Sequence, residues 1–147
     1  MTIEKGQFTI STDRARLDLR FIHEYLSKES YWVRGIPYEK VVAAADHSLN
    51  FGLYDGDRQI GYARIVTDYA RVAYLADVFV IEGYRGQGLS KWLIRQIMLH
   101  PDLQGLKRWM LHTRDAHGLY TQYGWNAPEK PETYLEIYNP AVEWWVN

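Results

Sequence analysis

Apolar positions along this chain change period several times, and each change marks an element. Phe8-Thr9-Ile10 reads as a short strand, and Ser11-Thr12-Asp13 then offers helix-capping side chains. Leu17, Phe21, Ile22, Tyr25 and Leu26 recur at helical spacing, which predicts a first helix near 13–27. A loop over 27–35 carries Tyr31 and Trp32. Pro37 suits the first turn of a second helix with Val41, Val42 and Ala45 inward, ended by Asp46-His47-Ser48. Strand patterns follow at 51–54, 59–66 and 71–80, with Asp55-Gly56-Asp57 as a hairpin turn, so an antiparallel meander of about three strands occupies the middle of the chain.

A helical stripe of Leu89, Trp92, Leu93 and Ile97 predicts a helix from about 88 to 100, with Lys91 and Arg95 outward and Pro101 as the stop. Residues 109–113 read as a strand, 115–123 as a short helix capped by Gly124, and 134–138 as the last strand. The strand–helix–strand run from Leu75 to Thr113 should be a right-handed crossover between parallel strands. The expected fold is therefore a mixed α/β sheet with helices on both faces.

Composition narrows the function classes. A length of 147 residues fits a single domain, 1–147, and the formal charge of −1 leaves no electrostatic footprint for nucleic acid. With no cysteine there is no disulfide framework, thiolate metal site or cysteine nucleophile, and the histidine spacing matches no metal motif. No apolar run reaches membrane-spanning length, and residues 1–6 lack a signal-peptide pattern, so a cytoplasmic protein without membrane or metal is the expectation. Six tryptophans and 12 tyrosines suit a core, a subunit interface or an aromatic-lined pocket. The Trp144-Trp145 pair is a candidate contact surface for a homodimer.

The most telling segment joins an apolar strand, 75–80, to a helix through Arg85-Gly86-Gln87-Gly88-Leu89-Ser90. Free backbone N–H groups, the positive end of a helix dipole and the charge of Arg85 converge there, as in a phosphate cradle. Glycine at 86 and 88 avoids a Cβ that would hold phosphate away or force an unfavourable φ. The Gly-Lys-Ser/Thr of a Walker A loop is absent, and so are the three spaced glycines of the dinucleotide fingerprint. Asp77 lies inside an apolar strand, where a carboxylate is costly unless paired or functional.

Arg85-Gly86-Gln87-Gly88-Leu89-Ser90 resembles the Arg/Gln-x-x-Gly-x-Gly/Ala loop of the GNAT superfamily of acyl-CoA N-acyltransferases. Asp77-Val78-Phe79-Val80 looks like that family's preceding strand, and Leu119-Tyr120-Thr121-Gln122-Tyr123-Gly124-Trp125 is similar to its Leu-Tyr-x-x-x-Gly-Phe segment. Element order agrees across nearly the whole chain. Three positions depart from the pattern: Ser90 stands at the last small position, Glu82 replaces a common proline and should face solvent, and Thr113 stands where many members have asparagine.

The resemblance implies a mostly antiparallel sheet of about six to seven strands with a splayed parallel pair at the acyl-CoA site. It also implies transfer of an acetyl group from acetyl-CoA to a primary amine. By that analogy the backbone of Val78, Phe79 and Val80 holds pantetheine, Arg85 to Ser90 hold the pyrophosphate, and Thr113 is a further cofactor contact. The N–H of Val80 would stabilise the oxyanion, Tyr120 would protonate the leaving thiolate, and Asp77 would orient the amine or act as base. Tyr31, Trp32 and Tyr38, with Arg34, mark the acceptor side, where a small amine with a carboxylate or an apolar amine would fit. The expected partner is a small-molecule amine. Transfer to a protein N-terminus or lysine, and an acyl-CoA-binding regulatory module without efficient catalysis, are the alternatives.

Overall fold

The structure is a computed structural model that describes residues 1–142 and Trp144. Its strands are β1 (Thr2–Lys5), β2 (Phe8–Ser11), β3 (Leu49–Asp55), β4 (Arg58–Thr67), β5 (Val72–Val80) and β6 (Arg108–Leu111). They form one sheet in the order β1-β2-β3-β4-β5-β6, antiparallel except for the parallel β5–β6 pair. The helices are α1 (Leu19–Lys28), α2 (Tyr38–Asp46), α3 (Leu89–Met98) and the short α4 (His117–Thr121). The helix α3 supplies the crossover from β5 to β6. Among the described residues, no helix is long and apolar enough to cross a membrane.

The two sheet faces carry different cores. On one, Phe51, Leu53, Ile65, Leu75 and Val80 meet Leu89, Leu93, Ile94 and Ile97 of α3. On the other, Tyr62 and Phe79 meet Ile22 and Leu26 of α1 and Val41 of α2. Each such side chain contributes about 1.5–3 kcal/mol on burial, so these stripes orient the helices. Gly61 lies where β4 and β5 approach closely: a Cβ there would stand 2.8 Å from the Phe79 carbonyl oxygen.

Three expectations are corrected. The first helix begins at Leu19, because two aspartates cap in succession. Asp13 accepts from Ala15 N–H at 3.0 Å to hold a 3-10 turn, and Asp18 then accepts from Phe21 N–H at 3.0 Å to start α1. Strand β1, with Ile3 as its one apolar residue, was hidden in the polar opening of the sequence and is held by its hairpin with β2. Residues 134–138 form no strand. Leu135 is 91% and Ile137 100% exposed, for alternation makes a strand only where a neighbour supplies hydrogen bonds. Of the Trp144-Trp145 pair, Trp145 lies outside the described residues, while Trp144 is partly buried against its own chain.

Gly61→Ala is expected to destabilise the fold by about 1–3 kcal/mol through forced separation of β4 and β5. Urea unfolding measures this, and an unchanged midpoint would mean that the strand pair gives way freely.

Candidate active site

The site begins where β5 outruns β6. Their pairing ends at Leu75 opposite Leu111, yet β5 continues to Val80. A bulge falls at this point: Arg64 pairs with Ala76 and Tyr62 with Phe79, so Asp77 and Val78 together face Ala63. Asp77 takes φ of +55°, a conformation that aspartate tolerates better than most residues.

Beyond the bulge the ladder decides which groups are free. Ile81 N–H donates to the Ile60 carbonyl at 3.0 Å, so by antiparallel alternation Phe79 bonds β4 while Val80, paired with Gly61, turns its N–H and C=O away from it. Val78 alternates to the same side. The expectation that all three residues offer backbone is therefore narrowed to Val78 and Val80. The Phe79 side chain is buried on the opposite task, stacked on Tyr25 at 3.8 Å between ring centroids.

The free edge runs into a cavity of about 330 Å³ lined by Val80, Arg85, Gly86, Gly88, Ser90 and Leu119, among others. Gly86 and Gly88 have φ of +84° and +77°, and a Cβ on either would enter open space. Gly88 caps α3 without a side chain to satisfy the first-turn N–H groups, and Gly88, Leu89, Ser90 and Lys91 of that turn line the cavity. A pyrophosphate fits such a cradle of backbone donors. Gln87 is exposed within the loop, Leu89 is buried and anchors it, and Glu82 is exposed as expected. Arg85 lines the cavity, but two of its N–H groups are engaged elsewhere: Nε donates to the Val80 carbonyl at 2.8 Å and a terminal nitrogen to the Tyr25 hydroxyl at 3.0 Å. Its contribution to the cradle is thus partly that of a brace.

The α1–α2 loop crosses the gap between the splayed strands. Trp32 Nε1 donates to Asp77 Oδ1 at 2.9 Å on the β5 side. On the β6 side, the Tyr31 hydroxyl accepts from Arg114 N–H at 3.1 Å, and the Arg114 guanidinium lies 3.7 Å above the Tyr31 ring. Tyr31 and Trp32 meet edge to face at 5.0 Å. Tyr38 is not brought to this cluster; it packs against His23 and Arg20 on the α1 side of α2.

Tyr120 is 8% exposed and touches Trp125 across a ring distance of 5.9 Å. Burial pushes its phenol up to about 12, with Tyr31 as a further raising influence. Thr113 Oγ1 accepts from Ala116 N–H at 3.0 Å, which leaves its O–H proton and one lone pair for a ligand. His112 lies between the rings of Tyr74 and Tyr134.

Asp77 is paired on both oxygens, since Arg64 Nε donates to Oδ2 at 2.6 Å. Arg64 also donates through a terminal nitrogen to Ser48 Oγ at 3.2 Å. Arg64 was missed from the sequence, although a charged residue inside the apolar run of 60–66 was its signal. Beside this pair Tyr62 donates to Asn50 in the interior, and burial raises its phenol well above the ordinary range.

Comparison with known proteins places this geometry. The model described as "Acetyltransferase (GNAT) family" matches residues 18–125. A Gibberella zeae protein assigned to the acetyltransferases is 30% identical over 138 residues, covering 79% of this chain and 77% of that protein. A crystal structure from Xanthomonas campestris, assigned to the same family, superposes with a TM-score of 0.89 at 47% identity, over 92% of this chain and 95% of that one. A Clostridium acetobutylicum acetyltransferase crystallised with acetyl-CoA shares the fold, at a TM-score of 0.67 and 13% identity over 94% of this chain and 96% of that one.

Tyr120 makes stability depend on alkaline pH. Its phenol titrates near 10 when unfolded and near 12 when folded, so the stabilisation is complete below pH 10 and fades as pH rises towards 12. Urea midpoints at about pH 9 and pH 11 should fall further in the wild type than in Tyr120→Phe; equal falls would contradict the buried environment.

Proposed function

The chain belongs to the GNAT family of acetyltransferases, and from that premise we propose that it transfers the acetyl group of acetyl-CoA to the primary amine of a small molecule by direct attack on the thioester. The supporting observation is the inner edge of β5, with Val78 and Val80 turned off the β4 ladder and the Val80 carbonyl shared with Arg85 Nε, leading straight into the backbone cradle of Gly86 to Ser90. That edge offers pairing groups to a pantetheine amide, and the cradle offers N–H donors to the pyrophosphate.

Each residue then has a physical role. A backbone N–H on the edge, from Val80 or from Val78 nearer the bulge, stabilises the oxygen that gains charge when the amine attacks the carbonyl carbon. As the C–S bond breaks, the Tyr120 hydroxyl gives its proton to the departing thiolate. Its pKa of about 12 lies above that of a thiol, near 8.5, so the phenol stays protonated as a hydrogen-bond donor to the charge developing on sulfur, and complete transfer is drawn forward by return of a nitrogen proton to the hydroxyl. Asp77 orients the incoming ammonium. Arg64 and Trp32 hold its two oxygens in a fixed orientation for that contact, and the excess proton of the amine leaves to water.

Thiol release from acetyl-CoA, followed across a panel of amines, tests this reading. Tyr120→Phe should lower kcat by roughly 100-fold, the usual worth of a general acid, with a smaller change in KM. Full activity in that variant would remove Tyr120 as the acid. Gly88→Val should remove the thermal stabilisation conferred by acetyl-CoA, because a β-branched residue resists positive φ and its side chain enters the cradle. An unchanged shift would sink the pyrophosphate assignment.

A further inference from the structure

On the α1–α2 face of the sheet, Asp77 also borders a second cavity. It has a volume of about 240 Å³ and lies between the two helices and β4. Its walls are apolar: Leu26, Val33, Ile36, Val41, Ala44 and Trp144. Its charged lining consists of Lys40, Arg64 and Asp77. Because Asp77 opens on this chamber from the bulge where β5 leaves β6, the chamber adjoins the edge assigned above to the thioester.

Two features of the lining select a substrate. The first is charge. Arg64 and Asp77 compensate each other at 2.6 Å, and Lys40 leaves the described lining with one excess positive charge. A simple amine arrives as a cation and a polyamine as several, so neither is favoured unless the acceptor brings an anion. The second is unused hydrogen-bonding capacity. Arginine has five N–H donors, and Asp77 and Ser48 take two of those of Arg64. The remaining donors match the fork geometry of a carboxylate. Asp77, though contacted by Trp32 and Arg64, retains lone pairs for an ammonium. A negative and a positive group thus stand side by side, complementary to the adjacent ammonium and carboxylate of an α-amino acid.

We propose that the acceptor is a free α-amino acid with an apolar side chain, its ammonium on Asp77, its carboxylate on Arg64 and Lys40, and its side chain among the apolar walls of the chamber. This rests on the acetyltransferase reading above and names the acceptor class for it. The new amide N–C bond replaces the C–S bond, and the nitrogen loses two protons: one passes to water before attack, and the second, released as the tetrahedral intermediate collapses, restores the Tyr120 hydroxyl after it has protonated the thiolate.

The test is thiol release with leucine and phenylalanine against their decarboxylated counterparts, isoamylamine and phenethylamine, with spermidine and a short peptide as further acceptors. The amino acids should exceed the decarboxylated amines by tenfold or more in kcat/KM, about the discrimination expected from one charge-assisted pair. Arg64→Lys and Lys40→Met should each reduce that ratio. Ala44→Phe, which fills the chamber, should raise KM for the amino acids about tenfold while the acetyl-CoA thermal shift persists, since it leaves the cradle intact. Equal or better transfer to the decarboxylated amines, spermidine or the peptide would overturn the acceptor class and leave the acetyltransferase reading standing. So would an Ala44→Phe variant with unaltered KM. No release with any acceptor would overturn both.

Discussion

The site depends on one constraint: β5 keeps a hydrogen-bonded neighbour on one side and loses it on the other. The β6 pairing stops at Leu111, opposite Leu75, while β4 follows β5 to its end. A strand inside a sheet ordinarily has no spare backbone donors. Here the bulge at Asp77 bends β5 as β6 departs, and alternation leaves the groups of Val78 and Val80 without a β4 partner. An exposed edge is normally a liability for aggregation. This one is short, leads into the cavity at the start of α3, and is suited to a ligand that pairs as a strand would.

The bulge is held by side chains to which the proposed mechanism also gives roles. Asp77 sits at positive φ, at a cost of about 1 kcal/mol, and is fixed there by Arg64 and Trp32. Those contacts connect β4 and the α1–α2 loop to the same carboxylate. Tyr31 then ties the loop to the chain after β6 through Arg114. The loop thereby spans both sides of the splay, so separation of the strands and orientation of the carboxylate become one interlocked arrangement. The division of the sheet into two faces does the rest: Val80 packs towards α3, while Phe79 and Tyr62 pack towards α1 and α2, where the proposed acceptor chamber lies.

Much of this was legible before any coordinates. The α3 stripe, the β3–β5 meander and the glycine loop all rest on short-range rules, namely period, turn chemistry and capping, and they stand close to where the sequence predicts them. Structure and sequence pattern part where a local pattern needs a distant partner. Residues 134–138 alternate like a strand yet find no ladder, and β1 has a poor pattern but is carried by its hairpin. Tyr38 looked like its loop neighbours Tyr31 and Trp32, but it begins α2 and turns to His23 and Arg20. Arg64 was overlooked because its importance lies in a partner 13 residues away across the sheet.

By itself the sequence determined the order of elements, the backbone cradle at Gly86 and Gly88, and the presence of a costly carboxylate in strand β5. Periodicity, φ preference and desolvation act over a few residues and can be read from them. Only the tertiary structure decided that Asp77 pairs with Arg64 and Trp32, that Val80 and not Phe79 offers its backbone, and that Lys40, Arg64 and the walls of α1 and α2 enclose one chamber. Those outcomes depend on register, on a one-residue bulge and on the packing of two helices against one sheet face. Each couples groups far apart in the chain, and a single-residue slip in register would reverse which of them faces the ligand.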